Sequence, residues 1–337
     1  NNSNNNVIIL SSYLNMNNIG LIFTDLIAYC GKLYTSDKAT GILYEISQNH
    51  LIPRQILMSG DGMNSESFPS SWSATKNGIL YLGTSGLDEN LILYGNNNNN
   101  NNQNQNNQNQ ENNIPQQIST SMIAYRSYWI SIVDPSGRVN HLDWTKEYTA
   151  LNTAARLDRN HLMFRHEAVV WSELREVWLF FPTIVHTSQK WHPTSRQLNL
   201  RGNNIQSDDQ TSSIFSSLRI IICSSDFRSI NVRMFQNFEL PQLNTIDTQK
   251  YQYHVQIASA KLLPDTEDTL VLGVLNIRYY LINEKNESTF ASSLPTKSFI
   301  IIFGLDGTVY APLSEITTNQ PFSFSYNDIN YSGIELL

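Results

Sequence analysis

Cysteine is close to absent: Cys30 and Cys223 are the only two in 337 residues. Two thiols exclude a disulfide scaffold and a cysteine-based zinc site. They could pair in an oxidising compartment, and two lone buried thiols are the simpler reading. Charge is scarce as well, at 15% of residues against about 25% in an ordinary soluble domain. Lys and Arg number 22 against 29 Asp and Glu, a formal net charge of -7. That balance excludes the basic field of a general nucleic-acid binder. No apolar run approaches the roughly 18 residues that span a bilayer, so no membrane contact is expected of this segment. A charged start, apolar centre and small-residue cleavage site, the marks of a secretory signal, are missing too. The chain opens on Asn1 rather than Met, and a further segment is expected upstream.

Asparagine fills the gap, at about one residue in eight, far above ordinary usage. Much of it lies in residues 96–118, an Asn/Gln tract with almost no apolar content. Such a stretch cannot offset its own ordering entropy and is expected as a disordered insertion. Similar strand patterns lie on both sides, so it interrupts one domain, expected over 7–337, and does not divide two. A polar stretch over 189–213 reads as a long loop.

The remaining texture is short strands, with aromatic and β-branched residues alternating between Gly, Asn, Asp and Pro. Examples are Gly31–Asp37, Gly41–Ser47, Gly78–Thr84, Val177–Pro182 and Ser298–Tyr310. One segment reads as helix, Asp143–Arg156, where Trp144, Tyr148 and Leu151 share a face and Asp143 is the expected N-cap. A weak repeat joins a polar residue, a short apolar strand, a tight turn and a second apolar strand. It starts at Asp25, Ser71, Glu167 and Ser259, with a half copy from Ser332. The first two starts lie 46 residues apart, within the blade length of about 40 to 50 residues. Each copy alone leaves a sheet face bare, so radial packing into a propeller is the economical arrangement.

Three segments carry a resemblance: TDLIAYCGKLYTSDKATGILYEI (Thr24–Ile46), GRVNHLDWTKEYTALNTAA (Gly137–Ala155) and HEAVVWSELREVWLFFP (His166–Pro182), with the terminal YSGIELL (Tyr331–Leu337). In them the chain resembles the calcium-activated nucleotidases, the apyrase family of the vertebrate Golgi and of blood-feeding insects' saliva. The resemblance implies an all-β, five-bladed β-propeller, its first blade incomplete if the protein begins at Asn1. It implies a secretory-pathway location and calcium-dependent hydrolysis of the terminal phosphoanhydride of UDP-, GDP- or ADP-type nucleotides. Ca²⁺ takes about six to eight oxygen ligands, and a propeller can offer one oxygen-bearing side chain per innermost strand. The corresponding positions are Asp25 (with the Thr24 carbonyl), Ser71, Glu167, Ser259 and Ser332. Asp37 and Asp61 are implied to line the nucleotide cleft, and Lys32 to approach phosphate, although strand-edge lysines are usually solvated.

The chain departs from that family where the chemistry belongs. The family carries Glu where this chain has Ser71 and Ser332, and its acidic turn becomes SGDG (Ser59–Gly62). Its paired arginines become Thr183 and Ile184, and another becomes Ala39. Guanidinium grips phosphate in a way that Thr, Ile and Ala cannot. The family's opening Ala-Asp-Leu-Asp strand, with its catalytic carboxylates, lies upstream of Asn1, so no catalytic residue is assigned. Arg165 is a gain. Two residues before Glu167, it faces the same side of a strand. Either its guanidinium pairs with Glu167 and Asp25, partly replacing calcium, or it ends the strand in solvent. His166 is expected to be a neutral, hydrogen-bonded channel histidine, and His141 to be structural. The alternative function is a catalytically inactive propeller that binds a nucleotide or a protein partner.

Overall fold

The computed structural model describes residues 21–63, 65–86, 128–155, 157, 162–186, 218–236, 251–282, 288–290, 297–310, 314–316 and 335. The Asn/Gln tract, the 189–213 stretch and Ser332 fall outside them.

The described chain is a β-propeller with four blades. Blade 1 is an antiparallel meander of β1 (Phe23–Tyr29), β2 (Lys32–Asp37), β3 (Ile42–Ser47) and β4 (His50–Ile56). Blade 2 repeats it with β5 (Ser70–Lys76), β6 (Ile79–Thr84), β7 (Trp129–Val133) and β8 (Val139–Asp143). The helix α1 (Thr145–Ala154) follows, then β9 (Leu162–Arg165), which pairs with β12 (Thr183–His186). Blade 3 is β10 (Val169–Ser172), β11 (Val177–Phe180), β13 (Ile220–Ser224) and β14 (Ile230–Arg233). Blade 4 is β15 (Tyr251–Leu262), β16 (Leu270–Ile282), β18 (Lys297–Gly304) and β19 (Ser314–Glu315), with β17 (Ser288–Phe290) on the far half of β16. The first strand of each blade neighbours the first strand of the next, in the order β1, β5, β10, β15, and β15 returns to β1. Five blades were expected; four are seen among the described residues. Glu335 lies where the half copy should close the ring, accepting from the Ala28 amide of β1 at 2.7 Å and facing Lys261 of β15.

The hairpins that open blades 1 and 2 turn on Cys30–Gly31 and Asn77–Gly78, each with both φ angles positive. That is the geometry which matches strand twist in a two-residue loop. Cys30 is therefore exposed at a turn tip while Cys223 is buried, and both are free. Only one of the two thiols is thus a buried one.

Apolar faces between the blades form three clusters. Ile27, Leu43, Leu80 and Leu82 pack blade 1 on blade 2. Trp72, Trp178, Phe180 and the α1 residues Trp144, Tyr148 and Leu151 fill the next interface, so the helix buries the stripe its spacing predicts. Phe181, Ile257, Leu275 and Phe303 join blades 3 and 4. Trp144, rather than Asp143, holds the N-cap position. Asp143 acts from one residue earlier, its carboxylate accepting the Thr145 amide at 2.9 Å.

Candidate axial site

The four described repeat starts fall on or just before the innermost strands: Asp25 in β1, Ser71 in β5, Glu167 ahead of β10 and Ser259 in β15. Asp25 is the centre of what they build. Its Oδ1 accepts from the Ser259 hydroxyl at 2.8 Å and from the Leu26 amide at 2.9 Å; its Oδ2 accepts from Ser73 at 2.8 Å. Lys261 Nζ stands 3.7 Å from Oδ2 and 3.4 Å from Glu335. Burial pushes the Asp25 pKa up, against the pull of the Lys261 ammonium and of the hydroxyls. Beside this knot, the hydroxyls of Thr24, Ser36 and Ser70 join blades 1 and 2, with Ser36 and Ser70 2.6 Å apart.

Glu167 lies two residues ahead of β10, the first strand of blade 3. Arg165 meets it at 2.6 Å, through Oε1, so the guanidinium faces Glu167 and not open solvent. The expected contact to Asp25 is made by Lys261 instead. Glu167 Oε2 and Ser71 Oγ are buried without a hydrogen-bond partner.

Does this donor set fit Ca²⁺? Asp25 is engaged on both oxygens, and Glu167 shares one oxygen with an arginine. Glu167 Oε2 and Ser71 Oγ remain for an ion, with the Thr24 carbonyl that the resemblance implies; Glu335 already gives one oxygen to the Ala28 amide and Lys261. Calcium takes about six to eight oxygens, typically with several carboxylates. No cluster of three or more His, Cys, Asp or Glu that could hold a metal occurs among the described residues. Ser332, the fifth ring position, lies outside the described residues, and the described donors alone do not complete such a shell.

The cleft candidates separate. β1 pairs with β2 so that Phe23 faces Asp37 and Tyr29 faces Lys32. Asp37 and Lys32 therefore sit at opposite ends of β2, about 16 Å apart along the strand. Asp37 is buried and closes its own turn, accepting from the Ile22 amide at 2.7 Å and the Thr40 amide at 3.0 Å. Asp61 is exposed in the loop that follows β4, at the Asp37 end. There Gly62, with φ +86°, presses on the ring of His141, and any Cβ would come within 2.5 Å of Nε2. Burial lowers the His141 pKa while Asp61 raises it. Lys32, at the other end, pairs with Glu45 at 2.9 Å beside Arg54.

His166 departs from expectation in part. Its ring has no exposure and lies against Tyr148, Phe164 and Phe180, at centroid distances of 4.9, 5.8 and 5.3 Å. Neither ring nitrogen has a hydrogen-bond partner. Burial holds it neutral, with its pKa pushed down to about 3. As pH falls below the unfolded value of about 6.5, the unfolded chain takes up a proton that the folded one refuses. Between about pH 7 and pH 5 this should cost about 2 kcal/mol of stability. Denaturant titrations of wild type and His166→Phe across that range check it. A variant with an unchanged pH slope would show that the ring is not held neutral.

Lys261, Ser73 and Glu335 were not anticipated from the sequence. Lys261 had a signal: it follows Ser259 by two residues, as Glu167 follows Arg165, and such positions share a strand face. A shallow groove along α1, lined by Lys146, Thr149, Arg228 and Ile230 among others, shares no residue with the axis.

Radial blades that send polar side chains to a common axis define a β-propeller with a polar axial centre. The family model for Apyrase matches residues 2–118 and 116–336, so this chain belongs to the apyrase family. It is similar to Soluble calcium-activated nucleotidase 1 of Mus musculus, 26% identical over 98% of this chain and 62% of that protein. The Rattus norvegicus protein of the same name is 25% identical over the same shares. An Apyrase of Cimex lectularius is 22% identical over 94% of this chain and 66% of that protein. The chain thus spans under two-thirds of the length of these relatives.

Proposed function

We propose that this propeller belongs to a nucleoside di- or triphosphate hydrolase that cleaves the terminal phosphoanhydride of UDP-, GDP- or ADP-type nucleotides in the secretory pathway. The observation that carries this reading is family membership over nearly the whole chain. The rim that holds Asp37, Asp61 and His141 is the end where substrate would be met. The names of the rodent relatives tie such activity to calcium, while the described axial donors alone do not complete a calcium shell, so calcium dependence is tested with the activity.

A second reading, an inactive propeller that binds a nucleotide or protein, is favoured by one feature. Thr183 and Ile184, where the resemblance calls for paired arginines, are buried and neutral. Phosphate release from UDP, GDP and ADP, each in calcium and in chelator, separates the two. Turnover by the folded chain supports the hydrolase. No release, with nucleotide binding retained, supports the binding module.

A further inference from the structure

Burying a carboxylate without a compensating charge is costly, and removing one partner of a buried pair leaves that cost exposed. Asp25 is buried in the first strand of blade 1 and Glu167 is largely buried just ahead of the first strand of blade 3, and each already faces a cation from its own chain. Arg165 ends β9, two residues before Glu167, and reaches it at 2.6 Å. Lys261 comes from the strand that gives Asp25 its Ser259 hydroxyl, and it also faces Glu335 beside β1. Among the described residues, Glu167 thus faces Arg165, while Asp25 and Glu335 share Lys261. The two unpartnered atoms, Ser71 Oγ and Glu167 Oε2, are groups that a water molecule satisfies.

We propose that Arg165 and Lys261 close the axial centre of this propeller in place of a divalent cation, so that the folded chain neither requires nor binds calcium there. An ammonium and a guanidinium fixed on the chain supply positive charge beside these carboxylates without recruiting an ion. The ring serines fit the same scheme, because an added carboxylate at Ser71 would have no cation left to face. The inference rests on the axial side chains and is independent of the hydrolase reading.

The test uses the whole chain without nucleotide. Thermal unfolding is followed in about 1 mM calcium, the upper part of the affinity range of extracellular calcium modules, and in EGTA. Equilibrium binding of radioactive calcium is measured in parallel. A ligand that binds the folded state raises Tm. The expected result is the same Tm in both buffers and no saturable binding. A saturable, calcium-dependent rise in Tm that Glu167→Gln abolishes would overturn the proposal. A double variant, Arg165→Leu with Ser71→Glu, removes one cation and adds one carboxylate. It is expected to gain a calcium-dependent rise in Tm, and a folded double variant with no gain would show that the guanidinium does not stand in the ion's place. The wild-type comparison decides the matter even if the double variant fails to fold.

Discussion

Replacing Trp72 by Ala is expected to destabilise the chain by about 3–5 kcal/mol, the range for truncating a large buried aromatic. Trp72 is fully buried between blades 2 and 3, and its ring meets Trp144, Trp178 and Phe180 at centroid distances of 5.9, 6.4 and 6.3 Å. Its indole N–H donates to the Thr84 carbonyl at 3.0 Å and lies 3.1 Å from the Tyr148 hydroxyl of α1. The neighbouring strand has Gly83 under the ring, where any Cβ would stand 1.9 Å from it. No side chain other than glycine's hydrogen leaves room for that indole. Truncation therefore empties a space that the backbone cannot refill, and it removes a donor from two buried oxygens. Trp72→Phe keeps much of the contact, and Tyr148 still donates to Thr84 at 2.9 Å. Its cost should be about 1–2 kcal/mol. Denaturant unfolding of the two variants gives the ordering; a loss below about 1 kcal/mol for Trp72→Ala would mean that the two blades do not share this core.

The strands were legible because each carries its own signal. Gly31–Asp37, Gly41–Ser47 and Gly78–Thr84 alternate apolar and polar residues between turn residues, and they became β2, β3 and β6 almost residue for residue. The repeat was legible for a topological reason. A blade must restart its innermost strand beside the previous one, so equivalent polar residues recur, and Asp25, Ser71 and Ser259 all lie in first strands. The blade count was not legible in the same way, because the closing copy rests on a few terminal residues, of which Glu335 alone is described.

The site was less legible than the fold. Alternation tells which residues share a face, and it left Arg165 with two choices, a partner in Glu167 and Asp25 or a strand end in solvent. It says nothing about which neighbour in space a side chain meets, and the cation facing Asp25 is Lys261, which alternation alone does not reveal. Lys261 is 236 positions away in sequence, brought near only because the ring closes. Lys32 and Asp37 show how strand geometry separates neighbours in sequence. Both lie in one six-residue strand, and closeness in sequence hid the fact that they occupy opposite ends of the blade. His166 was read as neutral on general grounds, but only packing shows why: an aromatic enclosure with no acceptor or donor in reach.

Asp25 ties three blades together, and the size of that tie is measurable. Ser73 reaches it from blade 2, and Ser259 and Lys261 from blade 4. Asp25→Ala removes the acceptor that the Ser73 and Ser259 hydroxyls share and leaves Lys261 with Glu335, and it is expected to cost about 3–5 kcal/mol. Lys261→Met is expected to cost less, because Asp25 keeps its three hydrogen bonds and can take up a proton. Burial already pushes the Asp25 pKa up and Lys261 holds it back, so removing the ammonium drives it higher. A carboxyl whose folded pKa exceeds its unfolded one is stabilising below the unfolded value, about 3.9, and loses that contribution as pH rises through the folded value. The cost of Lys261→Met should therefore grow from about pH 4 toward neutrality. Asp25→Ala with Lys261→Met should lose less than the sum of the single losses, by about 1–3 kcal/mol, since the two groups that face each other are removed together. Additivity within about 0.5 kcal/mol would show that the two groups do not feel each other, and the axis would then have to be neutralised by something other than this lysine.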